Sequence, residues 1–398
     1  MSTSSTPISA IGIIADVQYA DVDDGWNFKK TAKRCFRKTA DCLEEAIETF
    51  DEYSERKQLS KICSDYVDST LYEPKLCREN NPKISTILEL GDLTDGRCTK
   101  KGQKENIPDE AEKSIEKLLK IMTNSKYADQ QLHCCGNHEF YNFSREQLRN
   151  YYYKESSTTA NINFFKDTFA YITALKDNSR IKIIHLDSYD ISQIGRPNLD
   201  NRQIKAENIL KNRNPNVGDY NSATNLHGDD MRFVAYTGTT SKEQLNWFSE
   251  TLERLDSDPE TDLIILMSHC NIHPRALKDQ QFRTNTIWDF KEILKIIDQK
   301  NKNLKILTHL CGHHHNGGYY LDQGKQEDYI SEDIGDENST NRHIHHITMG
   351  GIIEHTDDNV FGIMEFYEKF AVLRGFGYCG SRFLSYGEGV ELKRPGRN

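Results

Sequence analysis

Short apolar runs recur along this chain at residues 11–15, 84–90, 131–135, 181–186, 263–267 and 304–311, and each is followed at once by Gly, Asp or Ser. Runs this short, most of them rich in Ile and Leu and closed by turn formers, read as buried strands. The run at 131–135, with Gln, His and two Cys, is the least apolar of them. Between the runs lie stretches with a helical period, at 31–56, 109–122, 241–255 and 286–299. The second opens on Asp109 as a cap, and the third opens Ser241-Lys242-Glu243-Gln244, the Ser-x-x-Gln capping box. Alternating strands and helices predict an α/β chain with helices covering a sheet. The last quarter differs, with runs at 343–349, 361–366 and 370–376 and no helical stretch between them. Three strands added antiparallel, and hence mixed sheets, are expected there. Segments 55–82, 154–161, 195–230 and 322–342 are polar and read as surface insertions. No internal repeat is present.

The formal charge is −10 over 398 residues. That balance argues against a broad nucleic-acid surface, which needs clustered Lys and Arg, but it leaves room for a locally positive pocket. The opening residues lack the basic start and apolar run of a secretory leader, and no apolar stretch approaches the length of a membrane span. The ten cysteines form no C-x-x-C pair and no regular framework. They are expected to be buried free thiols in a reducing cytoplasm, where the sequon Asn142-Phe143-Ser144 carries no meaning. With no heptads in the sequence, a monomer is expected.

The chemistry lies at the ends of five of the runs. They are followed by Asp16-Val17-Gln18, by Gly91-Asp92-Leu93-Thr94-Asp95, by Gly136-Asn137-His138-Glu139, by Ser268-His269 and by Gly312-His313-His314-His315. Ligands of open α/β sheets collect beyond the carboxyl ends of the strands. One such end is an ordinary turn or cap; five of one chemical character point to one shared site. In extended chain, residues i and i+2 share a face, so Asp16 is expected beside Gln18, and His313 beside His315 with His314 turned away.

In order and spacing this set resembles the calcineurin-like metallophosphoesterases, whose pattern is Asp-x-His, Gly-Asp-x-x-Asp, Gly-Asn-His-Asp/Glu, a lone His, and Gly-His-x-His. The match spans Asp16 to His315. Residues 12–21, 136–145, 187–190, 243–247 and 317–319, with Gln18 where most of the superfamily has His, are similar to the manganese-dependent diphosphatases of ADP-ribose and CDP-alcohols. The chain departs from them in the insertion near 55–82, the acidic stretch after Tyr320 and His314 inside the last motif. Those departures bear on substrate selection more than on chemistry.

The resemblance implies a four-layer α/β/β/α sandwich with mixed sheets, and one domain over 1–398 with polar insertions near 55–82, 195–230 and 322–342. It implies two divalent ions, Mn²⁺ for preference, with Mg²⁺, Zn²⁺ or Fe as alternatives. Asp92 would bridge them; Asp16, Gln18 and His315 would complete one site, and Asn137, His269 and His313 the other. With only Asp16 and Asp92 as carboxylate ligands, two divalent cations leave the centre net positive even with a hydroxide between them. A nucleotide diphosphate substrate is then drawn in without a basic patch. Gln18 offers an oxygen in place of an imidazole nitrogen, which favours Mn²⁺ or Mg²⁺. His138 is expected to meet the scissile phosphate or protonate the leaving oxygen, with a loop-holding role as the plain alternative. Asp95 is expected either to orient a ligand histidine or to cap the segment after it. Phe28, Tyr19 and Tyr141 lie near these loops and offer rings for a nucleobase, with Phe28 and Tyr141 taken as the substrate contacts.

Other readings fit less well. Protein Ser/Thr phosphatases carry Arg before Gly-Asn-His, where this chain has Cys135, and purple acid phosphatases need a Tyr near Asp95. A cyclic nucleotide phosphodiesterase would share nearly every ligand. A non-catalytic scaffold would have lost ligands, and a zinc hydrolase using only 313–315 leaves four motifs unexplained.

Overall fold

The computed structural model describes residues 6–27, 30–55, 81–98, 110–153, 162–278, 280–324 and 342–394. Strand β1 (Ser9–Ile14) carries no charge and is buried at every position, as a strand covered on both faces requires. It pairs in parallel with β4 (Thr86–Glu89), which pairs in parallel with β5 (Gln130–His133). On its other edge β13 (Val360–Phe366), β14 (Phe370–Gly377) and β15 (Arg382–Ser385) follow antiparallel. A second sheet has β8 (Ile181–His185), β9 (Leu263–Met267), β10 (Ile306–Cys311) and β12 (Ile344–Gly350) in parallel at its centre. Its edges are antiparallel: β11 (Asn316–Asp322) on one side, β7 (Tyr171–Ala174) and β6 (Asn163–Phe164) on the other.

One apolar core runs through both sheets, from Ile11 and Leu88 to Ile265, Leu310 and Met364. Helix α1 (Lys38–Ser54) lies on the first sheet beside α2 (Glu110–Thr123). A Cβ on Gly12 of β1 would stand 2.5 Å from the Phe50 ring, so glycine is what lets α1 come so near. Burying a ring such as Phe50 contributes about 1.5–3 kcal/mol. Helix α6 (Lys242–Ser257) pairs with α7 (Phe290–Lys300), and Lys305 Nζ, just before β10, donates to Asp258 O at the end of α6 (2.8 Å). The result is an α/β/β/α sandwich with mixed sheets. Among the described residues no helix is long and apolar enough to cross a membrane.

Several local expectations change. The helical period from residue 31 does not start a helix there. Asn27 Oδ1 accepts from Thr31 N (2.8 Å) and Ala32 N (3.3 Å), closing a loop. The strands on either side, β2 (Gly25–Trp26) and β3 (Lys33–Arg34), pair as a hairpin before α1 begins at Lys38. Ser241 does cap α6, accepting from Gln244 N (3.1 Å), but the Gln244 side chain leaves the box to bind Asp187 N and Asp190. Of the three late strands only β13 and β14 are antiparallel additions; β12 joins β10 in parallel. The polar segment 195–230 contains α5 (Asn201–Arg213), started by Asp200, which accepts from Arg202 N. Its Ala206 and Leu210 meet Ile191, Phe233, Ala235 and Trp288 in a small second core. Strands β2, β3, β6, β7, β11 and β15 were not read from the sequence. Asp109, the segment 154–161 and nearly all of 55–82 and 322–342 lie outside the described residues.

Candidate metal centre

The carboxyl ends of β1, β4, β5, β9 and β10 converge where the two sheets meet. Asp16, Gln18, Asp92 and His313 all have left-handed backbone, with φ of 49°, 46°, 59° and 68°. For residues with a Cβ that conformation costs about 1–3 kcal/mol each and survives only where the surroundings enforce it. Here the first two loops are zipped together: Asp16 N donates to Gly91 O (3.0 Å) and Gln18 N to Asp92 O (2.8 Å). Asp16 and Gln18 therefore meet through a paired, left-handed turn and not by strand alternation. Two glycines make room. Gly91 has φ of +98°, and a Cβ on Gly136 would fall 2.1 Å from Asp92 Oδ1.

Two groups of ligating atoms share Asp92. In one, atoms of Asp92, His269 and His313 all lie within 4.8 Å of one another. His269 Nε2 stands 3.4 Å from Asp92 Oδ2 and 3.1 Å from His313 Nδ1. In the other, His315 Nε2 is 3.4 Å from Asp16 Oδ1 and 3.0 Å from Gln18 Nε2, which is 3.1 Å from Asp92 Oδ2. Asp16, Gln18, Asp92, Asn137 and His269 are buried, and the buried Nε2 of His313 has no hydrogen-bond partner. So many carboxylate, amide and imidazole groups brought this close together fit divalent cations.

Two amides line the groups. Gln18 turns Nε2 inward, while its Oε1 accepts from Arg34 Nη1 (3.2 Å). An amide has the same outline either way round, so exchanging its ends points Oε1 at His315 and Asp92. Asn137 lies between two tyrosines: Oδ1 accepts from the Tyr189 hydroxyl (3.4 Å) and Nδ2 donates to the Tyr141 hydroxyl (3.3 Å). Its neighbour His138 ties it to the centre by donating N–H to Asp92 Oδ1 (2.8 Å).

Groups with no assigned role in the sequence reading hold this arrangement. The buried Glu139 carboxyl accepts from Asp92 N (2.8 Å), Gly136 N (2.8 Å) and Thr94 N (3.1 Å), fastening the loop after β4 to the start of α3 (Asn137–Asn142). Leu90 O receives His269 Nδ1 at 2.8 Å. Glu354, in the turn after β12, lies 3.0 Å from His315 Nδ1 and accepts from Arg34 Nη2 (2.7 Å). Asp95 sits beside His138, with Oδ2 3.2 Å from Nδ1, and also caps the next turn by accepting from Arg97 N (2.8 Å). Tyr141 is 41% exposed, its ring edge-on to His138. His314 is turned to Asn285. Phe28 lies outside the described residues.

A family profile, calcineurin-like phosphoesterase, matches residues 10–317, from β1 through the last histidines. The chain belongs to the calcineurin-like phosphoesterase family. It is 30% identical to the manganese-dependent ADP-ribose/CDP-alcohol diphosphatase of Xenopus tropicalis, over 96% of this chain and 95% of that one. The protein of the same name from Homo sapiens is 28% identical, over 97% of this chain and 95% of its own. That from Arabidopsis thaliana is 29% identical, over 81% and 84%. Among solved structures, a dimetal phosphatase from Danio rerio superposes with a TM-score of 0.73 at 26% identity, covering 96% of this chain and all of that one.

In this phosphoesterase the charges around Asp92 are strongly coupled. Burial opposes its ionisation, yet His269, His138 and His313 outweigh burial and hold the carboxyl far below the usual range. Burial likewise opposes charge on His269, but Asp92 and Asp16 push it up to about 10. His315 is pushed up to about 9 against burial by Asp16 and Glu354. Glu139 goes the other way, since burial and the nearby Asp92 and Glu89 push it up to about 8 despite its backbone donors. His138 has a defined tautomer. Gly96 N donates to its Nδ1 (2.9 Å), so the proton of the neutral ring sits at Nε2.

Proposed function

We propose that this chain is a two-metal hydrolase that cleaves the diphosphate of ADP-ribose and CDP-alcohols, giving a nucleoside monophosphate and a phosphorylated sugar or alcohol. The observation that carries the reading is the pair of ligand groups joined at Asp92. Full-length similarity to enzymes named for that substrate class supports the choice of substrate.

Asp92 would serve both ions, Asp16, Gln18 and His315 would hold one, and Asn137, His269 and His313 the other. Two divalent cations bound there, Mn²⁺ for preference, would supply polarisation of phosphoryl oxygens and a water of lowered pKa. The protein supplies position and protons. His138 presents Nε2–H as a donor to the phosphate or the leaving oxygen, with Nδ1 fixed by Gly96 N. The buried loops keep these groups in place before substrate arrives, so little reorganisation is left for the reaction. The exposed ring of Tyr141 stands next to His138 and offers a face for the nucleobase or sugar.

AMP release from ADP-ribose by metal-stripped protein, with and without Mn²⁺, tests the reading. Release that depends on Mn²⁺ supports it. If the folded, Mn²⁺-loaded protein instead leaves ADP-ribose and CDP-choline intact but opens a cyclic nucleotide, the substrate assignment is wrong.

A further inference from the structure

The two halves of the centre are oriented by different means. In one half the ring of His269 is set by a backbone carbonyl, Leu90 O at 2.8 Å. In the other, both neutral ligands depend on a single ion pair. Glu354 Oε1 lies 3.0 Å from His315 Nδ1, and Arg34 binds Glu354 through Nη2 (2.7 Å) and Nε (3.1 Å). The same Arg34 donates Nη1 to Gln18 Oε1 (3.2 Å). The contacts close a ring, Arg34 to Gln18 to His315 to Glu354 and back to Arg34, with His315 Nε2 turned towards Asp16 and Gln18.

The turn that carries Glu354 is fastened to both ligand loops. Ile353 N donates to Asp16 O (3.1 Å), Gly351 N to His315 O (3.0 Å) and Ile352 N to Ala15 O (3.3 Å). Arg34 and Glu354 are mostly buried, their side chains 16% and 11% exposed. A pair so placed is not a loose surface contact that solvent could replace.

We propose that Glu354 and Arg34 are positioning residues for one of the two ions, the one held by Asp16, Gln18 and His315; this rests on the two-metal reading above. Glu354 Oε1, nearer to His315 Nδ1 (3.0 Å) than Arg34 Nη2 is (3.2 Å), accepts the Nδ1 proton, which fixes the tautomer and leaves the Nε2 lone pair for the cation. Arg34 holds Glu354 against the ring. The other ion, one of whose two histidines is set by backbone, is independent of the pair.

Titration of the full chain with Mn²⁺, following free Mn²⁺ by EPR, tests this without substrate. Wild type should bind two ions. Glu354→Ala should weaken one of them by about 10–100-fold and leave the other unchanged. Glu354→Gln, which keeps an acceptor for Nδ1–H, should fall between Glu354→Ala and wild type. Should Glu354→Ala fail to fold, Arg34→Ala is read in the same way, with an expected loss of about 10-fold at one ion. Equal weakening of both ions, or none, overturns the assignment. Wild type binding fewer than two ions overturns the two-metal reading, and the proposal with it.

Discussion

Gly136→Ala is the sharpest perturbation of this centre, because its effect is steric and local. Gly136 has φ of −97° and ψ of −176°, which any residue adopts, so the substitution adds no backbone strain. What it adds is a Cβ 2.1 Å from Asp92 Oδ1, 2.7 Å from Asp92 Cγ and 2.7 Å from His269 Cε1. An ordinary carbon–oxygen contact is about 3.3 Å or longer, so the carboxylate must retreat by more than about 1 Å. Its Oδ1 is held by His138 N at 2.8 Å, and the loop ahead of it by Glu139, so the retreat breaks contacts that define the site. Overpacking of this kind costs about 1–3 kcal/mol in stability. A displacement of about 1 Å at a reacting centre can cost about 100-fold in rate. The expected result is a folded protein, lower in Tm, with Mn²⁺-dependent AMP release from ADP-ribose reduced at least about 100-fold. Calorimetry and a single-time-point AMP assay are enough to see both. Wild-type activity in Gly136→Ala would refute the reasoning, since it would mean that Asp92 does its work from somewhere else.

Other substitutions separate the remaining roles. His138→Ala should lower kcat by about 10²–10⁴-fold while two Mn²⁺ ions still bind; unchanged kcat would reduce His138 to a loop contact. Gln18→His replaces an oxygen donor with nitrogen, so activation should move from Mn²⁺ towards Zn²⁺ or Fe. An identical metal profile in the variant counts against that account. Away from the centre, burial pushes Asp177 up to about 6, against the Ser9 hydroxyl that donates to it (2.7 Å). A raised carboxyl favours the folded state below its unfolded pKa, and that contribution is lost as pH rises through the folded value. Asp177→Asn should therefore gain on wild type by on the order of 1–2 kcal/mol between about pH 4 and pH 6. A stability difference flat across that window in denaturant melts would contradict the assignment.

What the sequence makes legible here follows from which interactions are local. Strand β9 coincides with the apolar run at 263–267, because a strand buried on both faces must be apolar throughout. The clusters after β1, β4, β5, β9 and β10 were readable because each pairs a turn former with a ligand residue. The geometry that joins them was not. Left-handed backbone at Asp16 and Gln18 is enforced by hydrogen bonds from residues 91 and 92, far along the chain. Arg34 was hidden inside a helical period that the Asn27 loop overrides, a case of tertiary context defeating pattern. Glu354 follows the rule that found the other ligands: the run at 343–349 ends on Gly350-Gly351, and Glu354-His355 come soon after. Applied to a sixth strand end, that rule leads to it. Helix α5 escaped because its polar composition resembles a loop, although Asp200 three residues before Gln203 is the spacing of a cap.

Each half of the centre takes ligands from both sheets. Asp92 follows a strand of the first sheet and meets His269 and His313 from the second; Asp16 and Gln18 follow β1 and meet His315. Neither group of proposed ligands is complete within one sheet. That explains where the structure spends its strain. Four of the seven residues proposed as ligands are left-handed, a conformational cost of several kcal/mol by the usual measure of about 1–3 each. The core shared by the two sheets offsets that cost. A centre built this way has little freedom to adjust locally. The first ligand loop can move only with its neighbours, since backbone hydrogen bonds link Asp16 to Gly91 and, across the sandwich, to Ile353, and Gln18 to Asp92. Rigidity of this kind suits a reaction whose acceleration comes from fixed charges rather than from moving parts.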